Sequence, residues 1–250
     1  MFCLGETKNK IWRKIIMLKT GFIACMIFTG NLILAKPVAE WDFTNLPADE
    51  VILEVESSDG APALRQSEFD YGPFTIRSGN VTSLKFNSEQ RSSLYGSSDG
   101  PYDFGDGEAF AVEVSVYPTE YAPTEQTARQ IIMKRARSGN YHGWSLAIDT
   151  NGRLVFVIAA EGMPAKVLKS RESIPLNEWS EVAIARRADG GMELYLDGDL
   201  ITEGNGLTGS LKNDSELFVG RHSGAENKAY FFDGQMKSIR ISTGKYRISK

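Results

Sequence analysis

The strongest constraint on this chain is a pair of tight hairpins. From Gly143 to Asp149 the sequence alternates, with Trp144, Leu146 and Ile148 in register. Thr150-Asn151-Gly152 turns the chain, and Leu154 to Ile158 returns. Asn-Gly supplies positive φ at both central turn positions, and the twist of such a turn matches that of the strands it joins. The same grammar recurs at Ser180 to Arg186, a turn at Ala188-Asp189-Gly190, and Met192 to Leu196. Asp197-Gly198 turns again into Leu200-Ile201. Period-two patterns on both sides of these turns specify antiparallel sheet, and an isolated hairpin needs further strands to bury its apolar face.

Those strands are present. Val38 to Phe43 places Trp41 and Phe43 on one face, and Val51 to Val55 follows. Thr82 to Phe86 alternates. From Ala109 to Tyr117, Phe110, Val112, Val114 and Val116 share one face, while Ala111, Glu113 and Ser115 share the other. Gln130 to Lys134, Leu217 to Val219 and Gln235 to Ser242 complete the set. Ser57 to Asn80 and Asn87 to Asp106 are rich in Gly and Ser and read as long connections. Regularly spaced short strands with turn chemistry between them predict a two-sheet antiparallel β-sandwich, an all-β fold. No period of 20–50 residues points to a propeller or solenoid.

A different kind of segment precedes this pattern. Lys8, Lys10, Arg13, Lys14 and Lys19 are basic, Gly21 to Ala35 is an uncharged apolar run of 15 residues, and Ala35 is small. This reads as a secretory signal over residues 1–35, with Met17 as an alternative start. The run is short against the roughly 20 residues that span a bilayer, so a retained anchor ranks second. A lipoprotein signal at Cys25 ranks lower, because the apolar stretch before it is only a few residues long. Residues 36–250 then form one domain, long enough for a sizeable core. Without residues 1–35, Lys+Arg falls from 28 to 23 and Asp+Glu from 32 to 31, a net charge of −8. Such a body is a poor nucleic-acid ligand and is not expected to insert into membranes. Both cysteines, Cys3 and Cys25, go with the segment. Export without cysteine suits a bacterial secreted, periplasmic or envelope protein.

Several pieces together resemble the laminin-G-like, concanavalin A-like lectin/glucanase jelly-roll family. They are Glu40-Trp41-Asp42-Phe43, Ser83-Leu84-Lys85-Phe86-Asn87, Phe110 to Pro118, Lys134 followed by Gly143-Trp144-Ser145-Leu146, Asn177-Glu178-Trp179-Ser180, and Glu193-Leu194-Tyr195-Leu196-Asp197-Gly198. Phe232-Asp233-Gly234 before Ile239-Arg240-Ile241 follows in the same order, and the resemblance runs from Ala39 to Arg247. It implies a jelly roll with Trp179 in the core; Trp144, which shares a face with Leu146 and Ile148, and Trp41 read as core from their own strand patterns. It also implies a display scaffold for sugars or partner proteins. Calcium-binding laminin-G modules carry an Asp just after the strand matching Leu154 to Ile158. Here Ala159, Ala160 and Glu161 follow, which argues against a calcium site of that type.

Loop aromatics and their polar neighbours are the candidate ligand-binding residues: Tyr141, His142, Arg221, His222 and Tyr230. Aromatic faces stack on sugar rings, and Arg and His donate to hydroxyls. Tyr95, Tyr102 and Tyr121 are secondary candidates, each of which could instead anchor its own loop. Asp99, Asp103, Asp106 and Glu108 form an acidic stretch whose spacing does not fit an EF-hand, and turn formation explains it. Asp233 is expected to bond the backbone of its own turn. No catalytic residues are recognised: Glu113 is the sole carboxylate of its strand, whereas glycosidases need two acids across one bond. Two histidines exclude a three-His zinc site. The reading is a non-catalytic module that binds carbohydrate or a surface polymer. The alternatives are a structural or adhesion module binding protein and a glycan-cleaving enzyme.

Overall fold

The computed structural model describes residues 36–66, 71–136, 141–224 and 227–246, all within the unit Leu32–Lys250. The segment read as a signal or anchor, residues 1–35, lies outside the described residues. Strands follow in the order β1 (Lys36–Asp42), β2 (Glu54–Val55), β3 (Leu64–Arg65), β4 (Phe74–Ser78), β5 (Val81–Phe86), β6 (Leu94–Gly96), β7 (Phe110–Pro118) and β8 (Arg129–Arg135). They continue with β9 (Gly143–Ile148), β10 (Arg153–Ala159), β11 (Lys166–Ser173), β12 (Ser180–Arg186), β13 (Met192–Leu196), β14 (Asp199–Gly204), β15 (Leu217–Val219) and β16 (Gly234–Thr243). A 3-10 turn, Lys228–Tyr230, precedes β16. Among the described residues no helix is long and apolar enough to cross a membrane.

The strands form two antiparallel sheets, the expected sandwich. The first runs β14-β13-β12-β7-β16-β5-β4, with β1 also on β16, and the second runs β11-β10-β9-β8-β15-β6-β3-β2. The long strand β16 serves three neighbours. It lies along β7 on one edge, while Gly234 to Met236 pair with β5 and Ser238 to Thr243 with β1 on the other. Between the sheets, Phe110, Val112, Val114 and Val116 of β7 meet Trp144, Leu146, Phe156 and Ile158 of the second sheet in one core. Phe104 stacks on Phe110 with centroids 4.0 Å apart.

Two cations sit in this interior. Lys134 is fully buried, and its Nζ donates to the Asn213 carbonyl at 2.7 Å and pairs with Asp103 at 2.9 Å. The Arg186 guanidinium donates to the carbonyl oxygens of Glu108, Gly209 and Gly105. Burial pushes its pKa down to about 10. Both tie loops to the sandwich, since a buried charge must be bonded to be tolerated. Asp103 of the acidic stretch is therefore committed to Lys134.

Three expectations are corrected. Trp41 and Trp144 are buried, but Trp179 is only partly so. Ser180 opens β12 facing inward, opposite Val116, so alternation turns Trp179 to the outer surface beside Tyr117. A bulge in β16 places Lys237 over its ring, Nζ 3.7 Å from the centroid. Asp233 does not serve its own turn: its carboxylate accepts from Ser88 N at 3.0 Å, Ser88 Oγ at 2.9 Å and Thr119 Oγ1 at 2.6 Å, joining two other loops. The segments read as connections also contain β3, β4 and β6.

Candidate binding face

One row of residues crosses the outer face of the second sheet. Strand register aligns Glu54, Arg65, Tyr95, Phe218, Met133, Ser145, Val157 and Val167 side by side. Their chain neighbours Val55, Leu64, Leu94, Leu217, Ile132 and Trp144 belong to the core, so alternation directs the row outward. Leu94-Tyr95-Gly96 and Leu217-Phe218-Val219 show the same buried, half-buried, buried pattern.

The loop from β15 to β16 folds over the middle of this row. The Arg221 guanidinium lies 5.4 Å from the centroid of Phe218 and 5.5 Å from that of Phe231. Met133 has no exposed surface there. Arg129, at the start of β8, holds the loop down. Its Nη1 donates to the carbonyls of Lys228 at 3.1 Å and Phe231 at 3.0 Å, and its Nη2 to Glu120 at 2.7 Å. Asn227 caps the short 3-10 turn by accepting from Ala229 N. The turn presents Tyr230, whose ring is 5.6 Å from His222 and whose hydroxyl donates to the Gln126 carbonyl at 3.4 Å.

His222 Nδ1 accepts from Gly224 N at 3.2 Å, which assigns its ring proton to Nε2 in the neutral form. Burial lowers its pKa, and the guanidiniums of Arg135 and Arg221 lower it further. Arg135 ends β8 two residues after Met133 and on the same face. Its Nε donates to the Tyr141 carbonyl at 2.6 Å, and its guanidinium lies 5.9 Å from the Tyr141 ring. Tyr141 adopts a left-handed backbone (φ 50°), and its side chain is half exposed. Gly143, also at positive φ, lets this turn close: a Cβ there would run into the Lys134 carbonyl.

The structure thus brings Tyr141, Arg221, His222 and Tyr230 to one region of the sheet face. Among the described residues no hydrogen bond or ring contact ties the side chain of His142 to them. Its carbonyl closes the turn by accepting from Ala136 N at 3.0 Å, and its Nδ1 is buried without a hydrogen-bond partner among the described residues. Sequence reading missed Arg135 and Phe218. Adjacent Lys134 and Arg135 must face opposite ways in a strand, but nothing local says which is buried. Of the secondary candidates, Tyr102 is buried with its hydroxyl on the Ser97 carbonyl, and Tyr121 donates to Ile174. Both are loop anchors. Tyr95 instead lines a cleft of about 330 Å³ with Pro62, Ala63, Arg65, Ser97, Ser98 and Glu216, beside Phe218.

The outer face of the first sheet carries Glu113, which accepts from the Tyr246 hydroxyl at 3.0 Å and lies opposite Arg240. Arg240 pairs with Glu40 at 2.6 Å. Among the described residues no three His, Cys, Asp or Glu side chains gather as a metal cradle.

Residues 93–246 match the laminin G family model described as the concanavalin A-like lectin/glucanases superfamily. No curated protein matches the chain. Among solved structures, the binding domain of paraclostridial mosquitocidal protein 1 superposes with a TM-score of 0.64 at 14% identity, over 84% of this chain and 49% of that one. The botulinum neurotoxin serotype G binding domain gives 0.63 at 14%, over 85% and 49%. The chain therefore spans about half the length of these toxin domains. Domain 4 of AbnA, a GH43 extracellular arabinanase from Geobacillus stearothermophilus, in complex with arabinotriose, gives 0.55 at 15%, over 84% and 93%.

Proposed function

Because the chain belongs to the concanavalin A-like lectin/glucanases superfamily, we propose that it is a non-catalytic carbohydrate-binding module whose ligand lies on the outer face of the second sheet. The observation that carries this reading is the arrangement of aromatic and guanidinium groups there. Tyr95 and Phe218 stand side by side in the sheet, and Arg221 lies over Phe218. Tyr141 sits with Arg135, and Tyr230 with His222. Sugar rings have apolar faces that stack on aromatics and hydroxyl edges that need donors, and this face offers both. The cleft at Tyr95 extends the surface toward the edge of the sheet.

Two similar folds support the class of ligand. The arabinanase domain was solved with arabinotriose, and a botulinum neurotoxin type C structure, with a TM-score of 0.57, concerns interaction with two ganglioside molecules. A hydrolase reading has less support: Glu113 is engaged by Tyr246 and faces an arginine, not a second free acid. A glycan array probed with the protein, followed by calorimetry on the hits, tests the proposal. Retained binding after Tyr95→Ala and Tyr230→Ala would remove the ligand from this face.

We also propose that the protein is exported, with cleavage near Ala35. The motive is the basic start followed by a short apolar run. Mass spectrometry of the protein from cells should find an N-terminus near residue 36. An intact N-terminus in the membrane fraction would identify an anchor instead.

A further inference from the structure

We propose that the saccharide bound at this face carries an anionic oxygen group, a carboxylate or a sulfate ester, and that Arg135 receives it. This deepens the carbohydrate reading and rests on it. The argument starts from how the arginines are used. Arg65, Arg129, Arg187 and Arg240 each meet a carboxylate. Arg186 is satisfied by three backbone carbonyls. Arg135 is half-buried, yet among the described residues no carboxylate reaches it. Among the described residues its hydrogen bond is made through Nε, to the Tyr141 carbonyl, and no partner there engages either Nη group.

That bond and the adjacent Tyr141 ring hold the guanidinium plane in place. A fixed planar fork suits paired oxygens of a carboxylate or sulfate, and it remains charged at every accessible pH. Partial burial without a counter-ion leaves the cation under-solvated, a condition that an incoming anion relieves. Burial is also the leading cause that lowers the Arg135 pKa. Neutral His222 lies close by with an Nε2–H to donate, and the Arg221 guanidinium adds positive potential. This basic corner stands out on a chain of net charge −4.

The test is calorimetry on the full chain at low salt with three probes: trigalacturonate, the galactotriose obtained by reducing its carboxylates, and a sulfated galactotriose. The inference predicts that at least one acidic probe binds about tenfold or more tighter than the neutral one, the scale of one charge-assisted pair. Arg135→Gln should cost the preferred acidic probe about tenfold more affinity than it costs galactotriose, so that the advantage disappears. Arg135→Lys keeps the charge without the fork and should restore it only in part. Preference for the carboxylate or the sulfate identifies the anion. Melting curves confirm that each variant is folded. Equal binding of neutral and acidic probes, or an Arg135→Gln loss shared by all three, overturns the anionic inference and leaves the carbohydrate reading standing. If no saccharide from a broad neutral and acidic panel binds, the carbohydrate reading falls, and this inference with it.

Discussion

Replacing Arg129 by Met should loosen the loop that carries Arg221, His222 and Tyr230. Arg129 is almost wholly buried, and four groups accept from it: the carbonyls of Tyr121, Lys228 and Phe231, and the Glu120 carboxylate. The Glu120 contact contributes little, since that side chain is 63% exposed and exposed ion pairs yield about 0–1 kcal/mol. The carbonyls decide the magnitude. Phe231 is fully buried, so its oxygen loses a partner that water cannot readily replace, at about 1–3 kcal/mol. Lys228 is exposed, so its carbonyl recovers water and adds little. Met keeps the apolar stem, so packing changes little, while the part-buried Tyr121 carbonyl loses its bond at about 1 kcal/mol. A total of about 2–4 kcal/mol lowers the melting temperature by roughly 4–16 °C for a domain of this size. Calorimetry gives the shift, and hydrogen exchange across residues 218–234 gives its location. Glu120→Gln is the control and should cost under about 1 kcal/mol. If Arg129→Met melts like wild type, or Glu120→Gln costs as much, the carbonyl anchors are not what fixes this loop.

Four further substitutions have expected outcomes. Trp144→Ala should cost about 3–5 kcal/mol as a fully buried aromatic. Trp179→Ala should cost only about 1–2, the scale of its Tyr117 and Lys237 contacts; equal losses in urea denaturation would return Trp179 to the core. Tyr141→Ala should weaken saccharide binding several-fold by calorimetry, about 1 kcal/mol, without shifting the melting curve by more than a few degrees. His222 has a pKa below 6.5 in the fold, because of burial and then Arg135 and Arg221, so the folded state binds fewer protons there than the unfolded chain. Its stability contribution is complete above about pH 6.5 and is lost as pH falls through the lowered folded value. His222→Asn should therefore lose less stability than wild type between pH 7 and pH 5; parallel losses by thermal melts would refute the role.

Much of the sandwich was legible because its hairpins announce themselves. The bounds of β12, β13 and β15 follow the residue pattern, and Asn151-Gly152 and Asp189-Gly190 lie in the turns that join their strands, but the positive φ expected of both Asn151 and Gly152 is taken by Gly152 and not by Asn151. Strands with little pattern escaped. β3 is two residues long and β6 three, too short to show a period. β11 is an edge strand exposed along nearly all its length, so nothing selects apolar residues there. Trp179 lies one residue outside its strand, where alternation reverses the face that a family pattern implies. The binding face was half legible. Composition picked out Tyr141, Arg221, His222 and Tyr230, but their proximity depends on β15 pairing with β8, a contact between segments distant in sequence. Arg135 and Phe218 are ordinary strand residues until that pairing places them on one outer face.

The most direct test of the central claim is an NMR titration of isotope-labelled protein with the saccharide that a glycan array identifies. A ligand on the outer face of the second sheet should shift amides at Tyr95, Arg135, Tyr141, Phe218, His222 and Tyr230, and leave Tyr117, Trp179 and Lys237 on the opposite sheet unmoved. Shifts confined to Tyr117, Trp179 and Lys237 would contradict the account and place the ligand on the first sheet.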